Sequence, residues 1–82
     1  MRLTLSQLPV GQPARLRTVG GQGSYRRRLM ELGFVPGTVI RLIRRVDIGD
    51  VLEVEVRSSR MSLRITEARC LEVEPLDTKG DL

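Results

Sequence analysis

The sequence predicts a mainly β fold: a small barrel of about five short strands, with one principal α-helix inserted after the first strand. Three observations predict it. Apolar and polar residues alternate in several short runs, the period of half-buried strands. Turn chemistry separates those runs: Pro9 and Gly11, Gly20-Gly21-Gln22-Gly23, Asp47-Ile48-Gly49-Asp50 and Ser58-Ser59. Only the stretch from Ser24 to Leu32 carries a helical period, and it ends in a strong stop.

The elements follow in order. Thr4 to Leu8 reads as a short helical turn, with Thr4 and Gln7 spaced as a capping box. Leu3, Leu5 and Leu8 would plug one end of the core. Ala14 to Val19 is the first strand, with Ala14, Leu16 and Thr18 on one side and Arg15 and Arg17 on the other. The glycine cluster then leads to a helix capped by Ser24, with Tyr25, Leu29 and Leu32 on one face. Gly33 ends it in the left-handed conformation, and Phe34 folds back onto Leu29. Leu29, Leu32 and Phe34 are expected to pack on the barrel. Pro36-Gly37 is a type II turn pair, proline setting φ and glycine supplying φ > 0. Strands follow over Val39–Val46, Val51–Arg57 and Met61–Ile65, then a helical turn at Thr66-Glu67-Ala68 and a last strand over Cys70–Pro75. Closure would hide edge strands that so short a chain cannot otherwise cover. The arrangement is that of an SH3-like barrel spanning residues 1–76, followed by a polar tail, 77–82.

Composition narrows the function classes. The 82 residues suit one domain with a small core. The net charge is +4, and arginine supplies every basic residue but Lys79, which favours an acidic partner surface. One Tyr, one Phe and no Trp leave no platform for stacking a series of bases. The lack of histidine removes the commonest general base and transition-metal ligand. No apolar run approaches the roughly 20 residues that span a bilayer, and Met1 to Leu5 has no secretory pattern. A lone Cys70 forms no internal disulfide, and a cytoplasmic location without membrane insertion is expected.

Four groups of residues are candidates for function. Arg26-Arg27-Arg28 fan across roughly 200 degrees of the helix, either as a solvated face with Arg27 paired to Glu31 or as a docking face for carboxylate or phosphate. Carboxylates occur as Asp47/Asp50, Glu53/Glu55 and Glu72/Glu74, the last two pairs at alternate strand positions that share a face, but a first-row metal normally takes imidazole or thiolate as well, so no metal site and no cofactor are expected. Cys70 has no histidine to activate it, which leaves a structural thiol. The apolar set around the helix exceeds one stripe: either the whole set is core, or Met30, an adaptable side chain, projects to a partner. The glycine loop before the helix lacks the lysine and hydroxyl of a phosphate-binding loop and is read as conformational.

The run Arg28-Leu29-Met30-Glu31-Leu32-Gly33-Phe34-Val35-Pro36-Gly37-Thr38 resembles the signature of the FeoA family. The similarity continues through Arg45, Gly49-Asp50, Met61-Ser62-Leu63-Arg64-Ile65, Glu67-Ala68, Leu71 and Val73, and upstream through Leu5, Leu8, Gly11 and the strand Ala14–Val19. Val46-Asp47 stands where the family often has Ala-Pro, and Ser58-Ser59 where it often has glycine; both departures lie in loops. The resemblance implies an SH3-like barrel without catalytic residues, serving bacterial ferrous iron uptake as a cytosolic accessory protein. It implies FeoB as partner, the membrane transporter with a cytosolic GTP-binding domain. It extends to the C-terminal domain of iron- and manganese-dependent repressors, although this chain has no helix-turn-helix.

The expectation is therefore a non-enzymatic adaptor. Arg26, Arg27 and Arg28 would make its electrostatic contacts, Met30 and Val35 its apolar ones, with the Pro36-Gly37 turn beside them. Modulation of the transporter's GTP-binding domain would follow from such docking. Two rivals use the same chain differently. A nucleic-acid-binding barrel would place the arginines on phosphates, with steep salt dependence. A metal-responsive module would bind ferrous ion or another transition metal tightly in isolation.

Overall fold

The computed structural model describes residues 2–46 and 48–76. Its elements run β1 (Leu3–Thr4), a 3₁₀ turn (Leu5–Gln7), β2 (Pro13–Val19), α1 (Gly23–Glu31), β3 (Val39–Val46), β4 (Val51–Val56), β5 (Ser59–Arg64), α2 (Ile65–Ala68) and β6 (Leu71–Pro75). All six strands lie in one antiparallel sheet, ordered β1-β6-β2-β3-β4-β5. The five expected strands and the principal helix are present, and β1 adds a sixth strand too short to show any alternation. Asp47 of the hairpin turn and the tail read from Asp77 to Leu82 lie outside the described residues.

The sheet is open rather than closed. β1 and β5 are its two edges and do not pair. β1 is only two residues long and is already paired with β6, and β5 runs straight into α2. Instead α2 packs on the 3₁₀ turn as well as on β4 and β5, so short helical elements fill the space that closure would have filled. Arg45 ties the same region: its Nη2 donates to the carbonyls of Ser6 (3.0 Å) and Leu8 (2.7 Å), acceptors left over at the end of the turn. The Gln7 half of the expected capping box forms, with Oε1 accepting from the Thr4 N–H at 3.0 Å. The Thr4 hydroxyl meets Ser6 Oγ at 2.7 Å.

One core lies against the sheet, and among the described residues it contains no polar or charged side chain. Leu5, Leu8, Leu16, Phe34, Leu52 and Leu71 are among its fully enclosed members, with Leu3 half-buried at its margin. A register shift between Leu16 and Thr18 changes the parity of β2. Val19 therefore turns inward and Thr18 outward, which corrects the strict alternation expected there. A similar shift between Leu42 and Arg44 interrupts β3. The β4–β5 turn is Arg57-Ser58 rather than Ser58-Ser59. Both residues have positive φ, 50° and 68°, the type I′ geometry that matches strand twist and is adopted here without glycine.

The helix starts differently from expectation and ends as expected. Its N-cap is Gln22, with no side-chain cap bond, so Ser24 lies inside the first turn instead of capping it. Its end is a Schellman motif. The Phe34 N–H donates to the Leu29 carbonyl at 3.1 Å and the Gly33 N–H to the Met30 carbonyl at 3.0 Å, with Gly33 at φ 111°. Leu29 and Phe34 are both buried by this closure. Leu32, expected in the core, is 43% exposed because those two side chains already occupy the site beneath the cap.

Candidate functional site

The helix divides the three arginines. Successive residues rotate by 100°, so Arg26 and Arg27 share a side with Met30, four and three positions on. These three, with Gly23 and Glu31, line one shallow groove. Arg28 faces away from it, into a second concavity with Val51, Ser62, Leu63, Arg64 and Glu67. The structure thus brings together Arg26, Arg27 and Met30 of the expected docking set and leaves Arg28 apart.

Within the groove the two guanidinium groups differ. Arg26 Nε donates to the Val19 carbonyl at 2.9 Å, anchoring the helix to the end of β2. Arg27 is exposed and makes none of the ion pairs among the described residues; the expected pair with Glu31 does not form. Met30 is half-buried, packed on the core along one side. It supplies an apolar floor rather than the free projection expected from sequence.

Val35, Pro36 and Gly37 form the second part of the expected site. The Thr38 N–H closes the turn on the Val35 carbonyl at 3.1 Å, and Gly37 has φ 97°, as a type II turn requires. Two backbone bonds fasten it to β2: Gly37 N–H to the Leu16 carbonyl at 2.7 Å and Leu16 N–H to the Thr38 carbonyl at 2.8 Å. Pro36 and Gly37 are exposed on this rigid support, and Val35 is half-buried. Leu32 and Val39, 43% and 42% exposed, continue the apolar strip along the chain on either side of the turn. Sequence reasoning missed both. The signal was available for Leu32: once Leu29 and Phe34 meet across the cap, the residue between them turns outward.

The strand carboxylates are committed to arginines. Glu53 pairs with Arg44 (3.0 Å), Glu55 with Arg41 (2.8 Å), Glu74 with Arg17 (2.5 Å) and, more loosely, Glu72 with Arg2 (3.8 Å). The hydrogen bond from Arg17, followed by its charge, holds the Glu74 carboxyl below the ordinary carboxylate value. Among the described residues no group of three histidine, cysteine or acidic side chains is placed to hold a metal ion.

The glycine loop serves packing. Tyr25 lies so close over Gly21 that a Cβ there would come within 2.9 Å of its ring. Burial, then the nearby Glu67 and Cys70, raises the Tyr25 phenol above its ordinary value. Cys70 is half-buried, its Sγ 3.6 Å from the Thr66 carbonyl. Among the described residues no helix is long and apolar enough to cross a membrane.

Comparison with known proteins places this geometry. The family model described as the FeoA domain matches residues 3–75. Over 78 residues the chain is 33% identical to the Fe(2+) transport protein A/Fe(2+) transporter FeoB fusion protein of Porphyromonas gingivalis; the match covers 95% of this chain and spans 9% of that protein's length. The solution structure of FeoA from Chlorobium tepidum is 33% identical with a TM-score of 0.84, over 92% of this chain and 71% of that one. The zinc-complexed FeoA of Stenotrophomonas maltophilia, described as a procaryotic SH3 domain protein, is 37% identical with a TM-score of 0.77, over 88% and 89% of the two chains. A manganese-dependent transcriptional repressor is similar in fold alone, at 17% identity and a TM-score of 0.81, over 92% of this chain and 42% of that one.

Proposed function

The chain belongs to the FeoA family, and from that premise we propose that it is a cytoplasmic, non-catalytic accessory protein of ferrous iron uptake that docks on the cytosolic part of a FeoB-type transporter. The observation that carries this reading is the fusion protein of Porphyromonas gingivalis, which joins transport protein A and FeoB in one polypeptide. Covalent fusion raises the effective concentration of one module at the other, and it is productive where the two engage each other.

On this reading the helix side docks. Arg27 offers an uncommitted guanidinium suited to a carboxylate, and Met30 gives the adjacent apolar floor. The strip Leu32, Val35, Pro36 and Val39 extends the contact. Arg28 faces a different concavity and drops out of this surface. Docking there would bring the adaptor against the GTP-binding domain, where its effect would appear as nucleotide-dependent affinity.

Binding of the purified protein to the cytosolic part of the transporter, with and without guanine nucleotide, tests the proposal. Saturable binding is expected, weakened about tenfold by Arg27→Glu, a change of about 1.4 kcal/mol. Arg27 is the better probe than Arg26, whose bond to Val19 also holds the helix. Unchanged affinity in Arg27→Glu and Met30→Ala would remove the helix side from the reading. Absence of binding in every nucleotide state would overturn docking to the cytosolic part.

A further inference from the structure

The β5 edge of the sheet has a chemistry of its own. Val56 pairs with Ser59 across the two-residue turn, and the Ile65 N–H donates to the Asp50 carbonyl at 2.8 Å at the other end. Between these, antiparallel pairs alternate in the direction of their hydrogen bonds. Met61 and Leu63 therefore exchange bonds with β4, while Arg60 and Ser62 turn both their N–H and their C=O away from the sheet. The Arg64 N–H points the same way and is taken by Glu67 Oε1 at 2.8 Å. Arg60 and Ser62 are exposed, and no turn, loop or cap bond among the described residues uses their backbone groups.

Charge gathers along the same edge. Arg60 stands opposite Glu55 in register, but Glu55 is bonded to Arg41 on its other side at 2.8 Å. Arg60, Arg64 and Arg28 take part in none of the ion pairs among the described residues. Arg28 and Arg64 line the concavity beside Ser62 and Leu63, with Glu67 as its one carboxylate.

We propose that the β5 edge is a second binding site, one that takes an extended acidic segment of another polypeptide as an added antiparallel strand. Strand addition uses the free donors and acceptors of Arg60 and Ser62, and acidic side chains at alternate positions of the incoming strand meet the arginines. A second copy of this chain is the wrong occupant. Pairing two β5 strands about Ser62 sets Arg60 of each against Arg64 of the other, and like charges directly opposite are destabilising. The site is independent of the helix-side docking surface, which uses Arg27 and Met30.

An eight-residue peptide alternating threonine and glutamate, titrated into isotopically labelled protein, tests this. The largest amide shifts are expected at Arg60 and Ser62, with hydrogen exchange there slowed about tenfold near saturation. Two variants should each weaken the peptide by about tenfold or more. Ser62→Pro removes an outward donor without breaking a β4 bond, as edge positions allow. The double reversal Arg60→Glu with Arg64→Glu carries the test if the proline variant does not fold. Arg27→Glu should leave peptide affinity unchanged, so failure of the docking surface and failure of this site are distinguishable. Absence of binding, shifts centred on Arg26 and Arg27, equal affinity in folded variants, or equal affinity for a threonine–lysine peptide would each overturn the proposal.

Discussion

Arg15 reaches from β2 to the turn before β3, its Nη1 donating to the Gly37 carbonyl at 2.9 Å. With the two backbone bonds between Leu16 and the turn, this contact makes the Pro36-Gly37 corner a fixed extension of the sheet. A surface that docks on a partner gains from such support, because less freedom is lost on binding.

Gly37→Ala should destabilise the protein by about 1–2 kcal/mol, since a side chain at φ 97° is strained even though the space around it is open. Gly33→Ala should cost more, because its Cβ would also press on Val56 Cγ1 at 3.3 Å. Thermal unfolding checks the order. For a domain of this size about 1 kcal/mol corresponds to roughly 4–8 °C in Tm, and equal Tm values for the two variants would contradict the packing argument.

Phe34→Ala should remove about 3–5 kcal/mol, the cost of a large cavity beneath the helix cap. Leu32→Ser, two residues away and 43% exposed, should stay within about 1 kcal/mol of the parent. Denaturant unfolding separates them. A large loss for Leu32→Ser would show that the helix end packs more deeply than its exposure indicates.

Glu74 makes stability depend on acid. Its carboxyl, bonded to Arg17, titrates below its ordinary value of 4.5. A lowered folded-state value means that the unfolded chain binds the proton more readily. The stabilisation is therefore present above about pH 4.5 and is lost as pH falls through the folded-state value. Glu74→Gln should flatten that acid limb, and added salt should shrink it in the parent because the pair is exposed. An NMR titration placing the Glu74 carboxyl at or above 4.5 would refute the pairing.

Much of this fold was legible along the chain, for local reasons. The Schellman end at Gly33 and Phe34, the type II turn at Pro36-Gly37 and the alternating strands depend on spacing within a few residues. The arginine surplus was equally visible. Where a local rule had a local rival, sequence reading slipped. Ser24 could cap a helix, but the chain turns at Gln22. Ser58-Ser59 could turn, but register with Val56 places the turn at Arg57-Ser58.

What the sequence by itself determined was five of the six strands, the principal helix and the chemistry each carries, because helix caps, turns and strand periods are short-range. Tertiary structure alone decided how those elements share residues. Leu29 and Phe34 fill the space below the cap, so Leu32 faces out. Helical rotation joins Arg26 and Arg27 to Met30 and sends Arg28 to the side of β5. Cross-strand register gives Glu53 and Glu55 to Arg44 and Arg41, leaving Arg60 without a partner. Each of these outcomes depends on which distant residue reaches a site first in space, and excluded volume and pairing between remote strands are not encoded in any short stretch of the chain.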